Sequence, residues 1–162
     1  MNLGELGGLL QQFARDNSPD NFDRVAQNAP RGDLAEGLAA AFRSDQTPPF
    51  AHMLGQLFRQ SNGTQRASIL NQLIATLGPA LVAQAAGGTL GRILSRGGQV
   101  SAQEAEQVPD DELQRVAEKA EQKNPSIVEQ LSDFYAEHPG LVKTLGGAAL
   151  TILMARMAQK YA

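Results

Sequence analysis

The chain contains no cysteine and no tryptophan, and only 2 of its 162 residues are tyrosine. Without cysteine, disulfides and thiolate metal sites are excluded. A third absence is regional. From Gln46 to Gln103 there is no carboxylate, and from Ala67 to Gly91 there is no charge of either sign. Soluble domains normally carry charge on the outward side of each helix. A stretch this long without charge is expected to be covered by protein or by lipid. Packing and association, not chemistry, are the functions it suggests.

Alanine, leucine and glycine supply the apolar content in place of aromatics, which suits close helix–helix contact. The length corresponds to a single helical domain, residues 1–162, with 1–98 and 99–162 as candidate sub-regions. The net charge of −3 is distributed in blocks. Residues 1–45 have 7 acids and 4 bases, and 46–103 have 4 bases and no acid. Residues 104–138 have 10 acids and 3 bases, and 139–162 have 3 bases and no acid. Opposed blocks neutralise each other within a fold or between subunits, or they turn one face toward anionic lipid. The opening Met-Asn-Leu-Gly-Glu-Leu lacks the basic region of a secretory signal, so the expected location is cytoplasmic. The segment Ala67–Gly91 has the length of a membrane span. Asn71, Gln72, Pro79, Gln84 and several glycines interrupt it, and Thr144–Ala155 is too short. Asn62-Gly63-Thr64 matches a glycosylation sequon and, without a secretion signal, is read as a chance match.

Helix starts and 3.6-residue stripes run from end to end, and β-type alternation is missing. The expected fold is all-α, a compact bundle of about eight or nine short helices ending in an apolar C-terminal helix. Helices are expected over most of 3–14, 19–29, 34–43, 48–60, 65–77, 80–86, 110–122, 126–137 and 141–160. A further short one is expected between Gly87-Gly88 and Gly97-Gly98. Asp33 and Thr64 are the expected N-caps of their helices, and Ser101 with Glu104 forms a capping box. Gly78-Pro79 breaks or kinks the central helical run. The last helix is apolar on nearly all sides, with Leu141, Leu145, Ala148, Ile152 and Ala155 on one face. Leu150, Met154, Met157 and Tyr161 follow another. Such a helix is expected to be buried.

Residues with catalytic potential are scarce. His52 and His138 are the only histidines. They have no His-x-x-x-His or Glu-x-x-His spacing, so no metal site is expected. Glu137 and His138 diverge by about 100° on a helix. Ser18, Ser61, Ser95 and Ser101 fall at helix boundaries, and no Gly-x-Ser-x-Gly elbow occurs. Gly87-Gly88-Thr89-Leu90-Gly91 has the look of a phosphate loop without its Gly-Lys-Ser/Thr ending or a preceding strand. A helix break for close packing explains it better. Leu113–Tyr135 has helix-turn-helix spacing, but its reading helix carries Glu129, Asp133 and Glu137 and no base. Phosphate repulsion argues against nucleic acid there. No cofactor and no small-molecule substrate is indicated.

The region from Gly88 to about Gly146 resembles the YidB-like family of small bacterial proteins. The residues concerned are Leu90-Gly91-Arg92-Ile93-Leu94, Gln99-Val100-Ser101 and Leu113 through Ala117. Ile127-Val128-Glu129-Gln130-Leu131 and the His138-Pro139 break also fit. The resemblance implies a helical, homeodomain-like arrangement without established enzymatic activity. The N-terminal half departs from it, and no functional residue is carried over.

Two functional expectations follow. The first is a non-enzymatic, self-associating helical protein, a homo-oligomer that packs through residues 64–94, the last helix, or both. Ile69, Leu70, Asn71, Leu73, Leu77, Leu81, Leu145, Leu150, Ile152, Leu153, Met154 and Met157 are the expected core or interface residues. On Thr64–Leu77 even the opposite face (Ser68, Asn71, Gln72, Thr76) is uncharged. Polar, uncharged groups are desolvated at lower cost than charges. The second expectation is a peripheral membrane protein. It would use an amphipathic first helix (Leu3, Leu6, Leu9, Leu10, Phe13) and the apolar, basic last helix.

Overall fold

In a computed structural model, residues 19–97 and 99–161 are described, with the side chains of residues 22–97 and 99–159. The described chain is all-α, with eleven helices and no strand among these residues. They are α1 (Pro19–Asn28), α2 (Arg31–Arg43), α3 (Phe50–Gln60), α4 (Gly63–Leu77), α5 (Pro79–Ala86) and α6 (Gly88–Leu94). The remainder are α7 (Ala102–Glu106), α8 (Asp110–Lys123), α9 (Ile127–Ala136), α10 (Pro139–Lys143) and α11 (Gly147–Tyr161). The amphipathic helix expected over 3–14 lies outside the described residues.

Local chemistry sets the boundaries. The N-cap of α4 is Asn62, not Thr64. Its Oδ1 accepts from the Gln65 amide at 2.8 Å, and Gln65 Oε1 accepts from the Asn62 amide at 3.0 Å. The capping box therefore starts two residues earlier than the Ser/Thr rule indicates, because asparagine caps as well as threonine. Asp33 is likewise not a cap. α2 begins at Arg31 after an extended Pro30, and Asp33 sits in its first turn. The Ser101–Glu104 box opens α7 as expected.

The continuous helix expected over 141–160 is two helices. α10 ends at Lys143 and α11 starts at Gly147. Gly146 has φ +80°, a left-handed conformation that glycine tolerates and that stops a helix. The apolar periodicity of 141–160 runs straight through this stop, which is why the pattern alone does not show it.

Contacts sort the described residues into two compact units. The central one is Phe50–Leu131, and the residues on either side of it form the other. The division therefore falls at Pro49/Phe50 and Leu131/Ser132, not at 98/99. The reason is that α7 and α8, both beyond residue 99, pack on α4 and α3.

In the central unit, α8 is the hub. It lies against α3, α4 and α5, while α7 covers α4 and α6 packs on α5. Its inward face is Leu113, Val116, Ala117 and Ala120, each with no exposed surface. The facing residues include Leu54, Leu57, Phe58, Ile69, Leu70 and Leu73, all exposed by 1 % or less. Arg66 closes the C-terminus of α3. Its Nε donates to the carbonyls of Phe58 and Ser61 at 3.0 Å, and a second guanidinium nitrogen donates to Arg59 at 3.1 Å. The guanidinium also lies 4.9 Å from the centre of the Phe58 ring.

In the other unit α11 packs along α2, and α10 along α1. The α2–α11 approach depends on Gly37. A Cβ there would lie 3.0 Å from the Leu153 carbonyl oxygen and 3.1 Å from Leu153 Cγ. Ala149, Leu150, Leu153, Met154 and Met157 form the buried face of α11. Ala148, Thr151, Ala155 and Arg156 are exposed, so this helix is buried on one side only. Its outward face carries few charges, with Gly147, Ala148, Thr151 and Ala155 beside Arg156 and Gln159.

Candidate functional site

The charge-free segment Ala67–Gly91 spans most of α4, all of α5 and the start of α6. At Gly78 (φ +88°) the chain turns a corner, and α4 and α5 meet at a bend of 114°. Pro79 follows as the first residue of α5, where its missing N–H costs nothing. Together the two helices are as apolar as a broken membrane span. No single helix among the described residues is long and apolar enough to cross a membrane.

Most of the apolar side chains here are covered by the chain itself. Ile69, Leu70 and Leu73 have no exposed surface, and Ile74 and Leu77 are also buried. Their burial therefore needs no partner copy and gives no separate argument for one. Leu81 is half-buried, as are Leu145 and Ile152, whereas Leu150, Met154 and Met157 are buried. What remains outward around the corner is small and uncharged. Ala75, Pro79, Ala80 and Gln84 are exposed, and Gln72, Thr76, Gly78 and Ala83 are half-buried.

Asn71 does not belong to this outward surface. Its amide nitrogen donates to the Val100 carbonyl at 3.1 Å, and its Oδ1 accepts from the Val100 amide at 2.9 Å. One side-chain amide thus satisfies both backbone groups of a residue in the loop before α7. The pairing spans 29 residues, so helix periodicity gives no hint of it.

The Gly87-Gly88 break is held by α8. Glu112, buried with 5 % exposure, accepts from the Leu90 amide at 2.9 Å and from the Thr89 amide at 3.2 Å. Arg115, one turn along α8, donates to the Ala86 carbonyl at 2.8 Å. One helix therefore satisfies the free amides opening α6 and a free carbonyl closing α5. These are the groups a helix end leaves without partners. Gly87 (φ +66°) and Gly88 (φ +40°) give the chain the left-handed turn it needs here. The likeness to a phosphate loop has a physical basis, since the amides of Thr89 and Leu90 do hold an anion. That anion is the protein's own Glu112 carboxylate. From sequence, Glu112 reads only as an acid in the first turn of α8, and no local signal marks its long-range role.

Ser61 and Ser95 each donate a hydroxyl to a backbone carbonyl, Leu57 and Arg92 respectively, at 2.6 Å. His52 is exposed on α3, and the His138 ring sits 4.8 Å from that of Phe134. Among the described residues, no group of three or more histidine, aspartate or glutamate side chains is arranged to hold a metal ion. No protein-family model, curated protein or solved structure matches this chain.

Proposed function

We propose that this chain is a non-enzymatic interaction protein that pairs with a second copy of itself through the outward surface of the α4–α5 corner. The observation that carries this reading is the exposure of Ala75, Pro79, Ala80 and Gln84 on a segment without charge. Surfaces depleted of charge are desolvated at low cost, and small side chains allow close helix approach. The net-acidic 104–138 block of one copy and the basic residues of 46–103 in another would set orientation. Exposed charge pairs contribute little affinity, so burial of the corner would provide most of the stabilisation. Sedimentation at micromolar concentration tests this directly. A dimer or larger species is expected, and Ala80→Glu should return it to the monomer with the helical signal intact. A native monomer, or an Ala80→Glu variant that stays associated, would refute the reading.

A second reading is a peripheral membrane protein. It is favoured by the combined apolar character of Gly63–Leu77 and Pro79–Ala86. Because Ile69, Leu70 and Leu73 are wholly buried, insertion of these helices would require the central unit to open. Cosedimentation with anionic vesicles, accompanied by faster amide exchange in α4, is the result this reading requires.

A further inference from the structure

The four cations of the 46–103 block are used unequally. Arg59 pairs with Asp110 at 2.8 Å, and Arg66 closes α3. Arg92 and Arg96 are exposed, and neither guanidinium has a hydrogen-bond or ion-pair partner among the described residues. They stand four positions apart on and just beyond α6, where like charges repel across one helical turn. Together with Thr89, Ile93 and Gln107 they line a cavity of about 70 Å³. One water needs roughly 10–15 Å³ measured the same way, so the space exceeds a single solvent molecule. The hydroxyl of Thr89 and the side-chain amide of Gln107 also lack partners among the described residues. Neighbouring carboxylates are committed elsewhere. Glu112 holds the α6 amides and Glu104 caps α7.

The geometry points to a binding site for a phosphate group between Arg92 and Arg96, with Thr89 and Gln107 as additional donors. Two guanidinium forks, a hydroxyl and an amide offer donors from several directions, which suits a tetrahedral oxyanion with several acceptor oxygens. The anion would also relieve the repulsion between the two arginines. The amides of Thr89 and Leu90 take no part, because Glu112 occupies them. This site is separate from the α4–α5 corner and does not depend on self-association.

The test is an NMR titration of the full-length chain with inorganic phosphate against chloride at matched ionic strength. Saturable shifts are expected at the amides of Thr89, Arg92, Ile93, Arg96 and Gln107. Arg92→Gln and Arg96→Gln should each weaken the response by about tenfold, the loss of one charge-assisted contact. Lys119→Gln, an exposed cation on α8, should leave it unchanged. Circular dichroism of the two arginine variants should match the wild type, since both side chains are exposed. A second arm mixes the protein with phosphatidic acid vesicles and with phosphatidylcholine vesicles. Arg92-dependent cosedimentation with the former alone identifies a lipid headgroup as the source, and phosphate saturation without cosedimentation identifies a free phosphate. No saturable response beyond that to chloride overturns the inference. So does a response that survives both arginine substitutions, or a pair of variants that alter only the sedimentation state.

Discussion

The α4–α6 region and the α2–α11 pair achieve cohesion by different means. In the first, polar side chains reach backbone groups across long sequence separations, as Asn71 does at Val100 and Glu112 at Thr89 and Leu90. In the second, helices meet through a glycine and a packed face, and the charged contacts are side chain to side chain at the surface. Arg156 lies 3.3 Å from Glu36 with both side chains about half exposed. In α1 and α10, Lys143 and Asp23 make a similar pair at 2.7 Å. The difference follows from composition. Several short helices joined by glycine breaks leave many helix-end amides and carbonyls to satisfy, and each one left buried without a partner is costly. Two helices packed side by side leave fewer such ends, so surface charge is free to pair where it adds little.

Four substitutions probe this contrast, in descending order of expected effect. Leu73→Ala removes a wholly buried side chain of α4 and should cost about 2–5 kcal/mol, read by urea unfolding. An unchanged midpoint would show that α4 is not part of the core. Gly37→Val forces side-chain atoms against the Leu153 backbone and should cost about 1–3 kcal/mol through overpacking. A variant as stable as the wild type would mean that α2 and α11 separate without penalty.

How far the sequence predicts these regions differs in the same way. That Leu73 is covered, in core or interface, and that the helix breaks at Gly78-Pro79 follow from local pattern, because periodicity and proline chemistry act within a few residues. Asn71 illustrates the opposite case. Its lack of charge places it naturally on an association surface, and only the folded chain reveals that its amide is engaged by Val100. Glu112 is similarly concealed, since an acid in the first turn of a helix already has a sufficient local explanation. The stop at Gly146 is marked in the sequence by Gly146-Gly147, inside an apolar periodicity that continues across it.

Glu112→Ala should cost about 1–3 kcal/mol by leaving the Thr89 and Leu90 amides without their acceptor. Hydrogen exchange at those two amides should accelerate more than elsewhere in α6, and uniform acceleration would contradict a local role. Arg156→Ala should have the smallest effect, within about 1 kcal/mol, because the pair with Glu36 is exposed. A thermal melt showing a larger loss would mean that surface charge contributes more to α2–α11 than this comparison allows.

Adjacent glycines between helices would ordinarily be a preferred point of attack for a protease, which needs a locally unfolded backbone. At Gly87-Gly88 the flanking groups are fastened to α8 from both sides, by Arg115 at Ala86 and by Glu112 at Thr89 and Leu90. Cleavage at that bond can proceed only after α8 lets go. The nicking rate there thus becomes a clock for the opening of the central unit, readable by mass without any label.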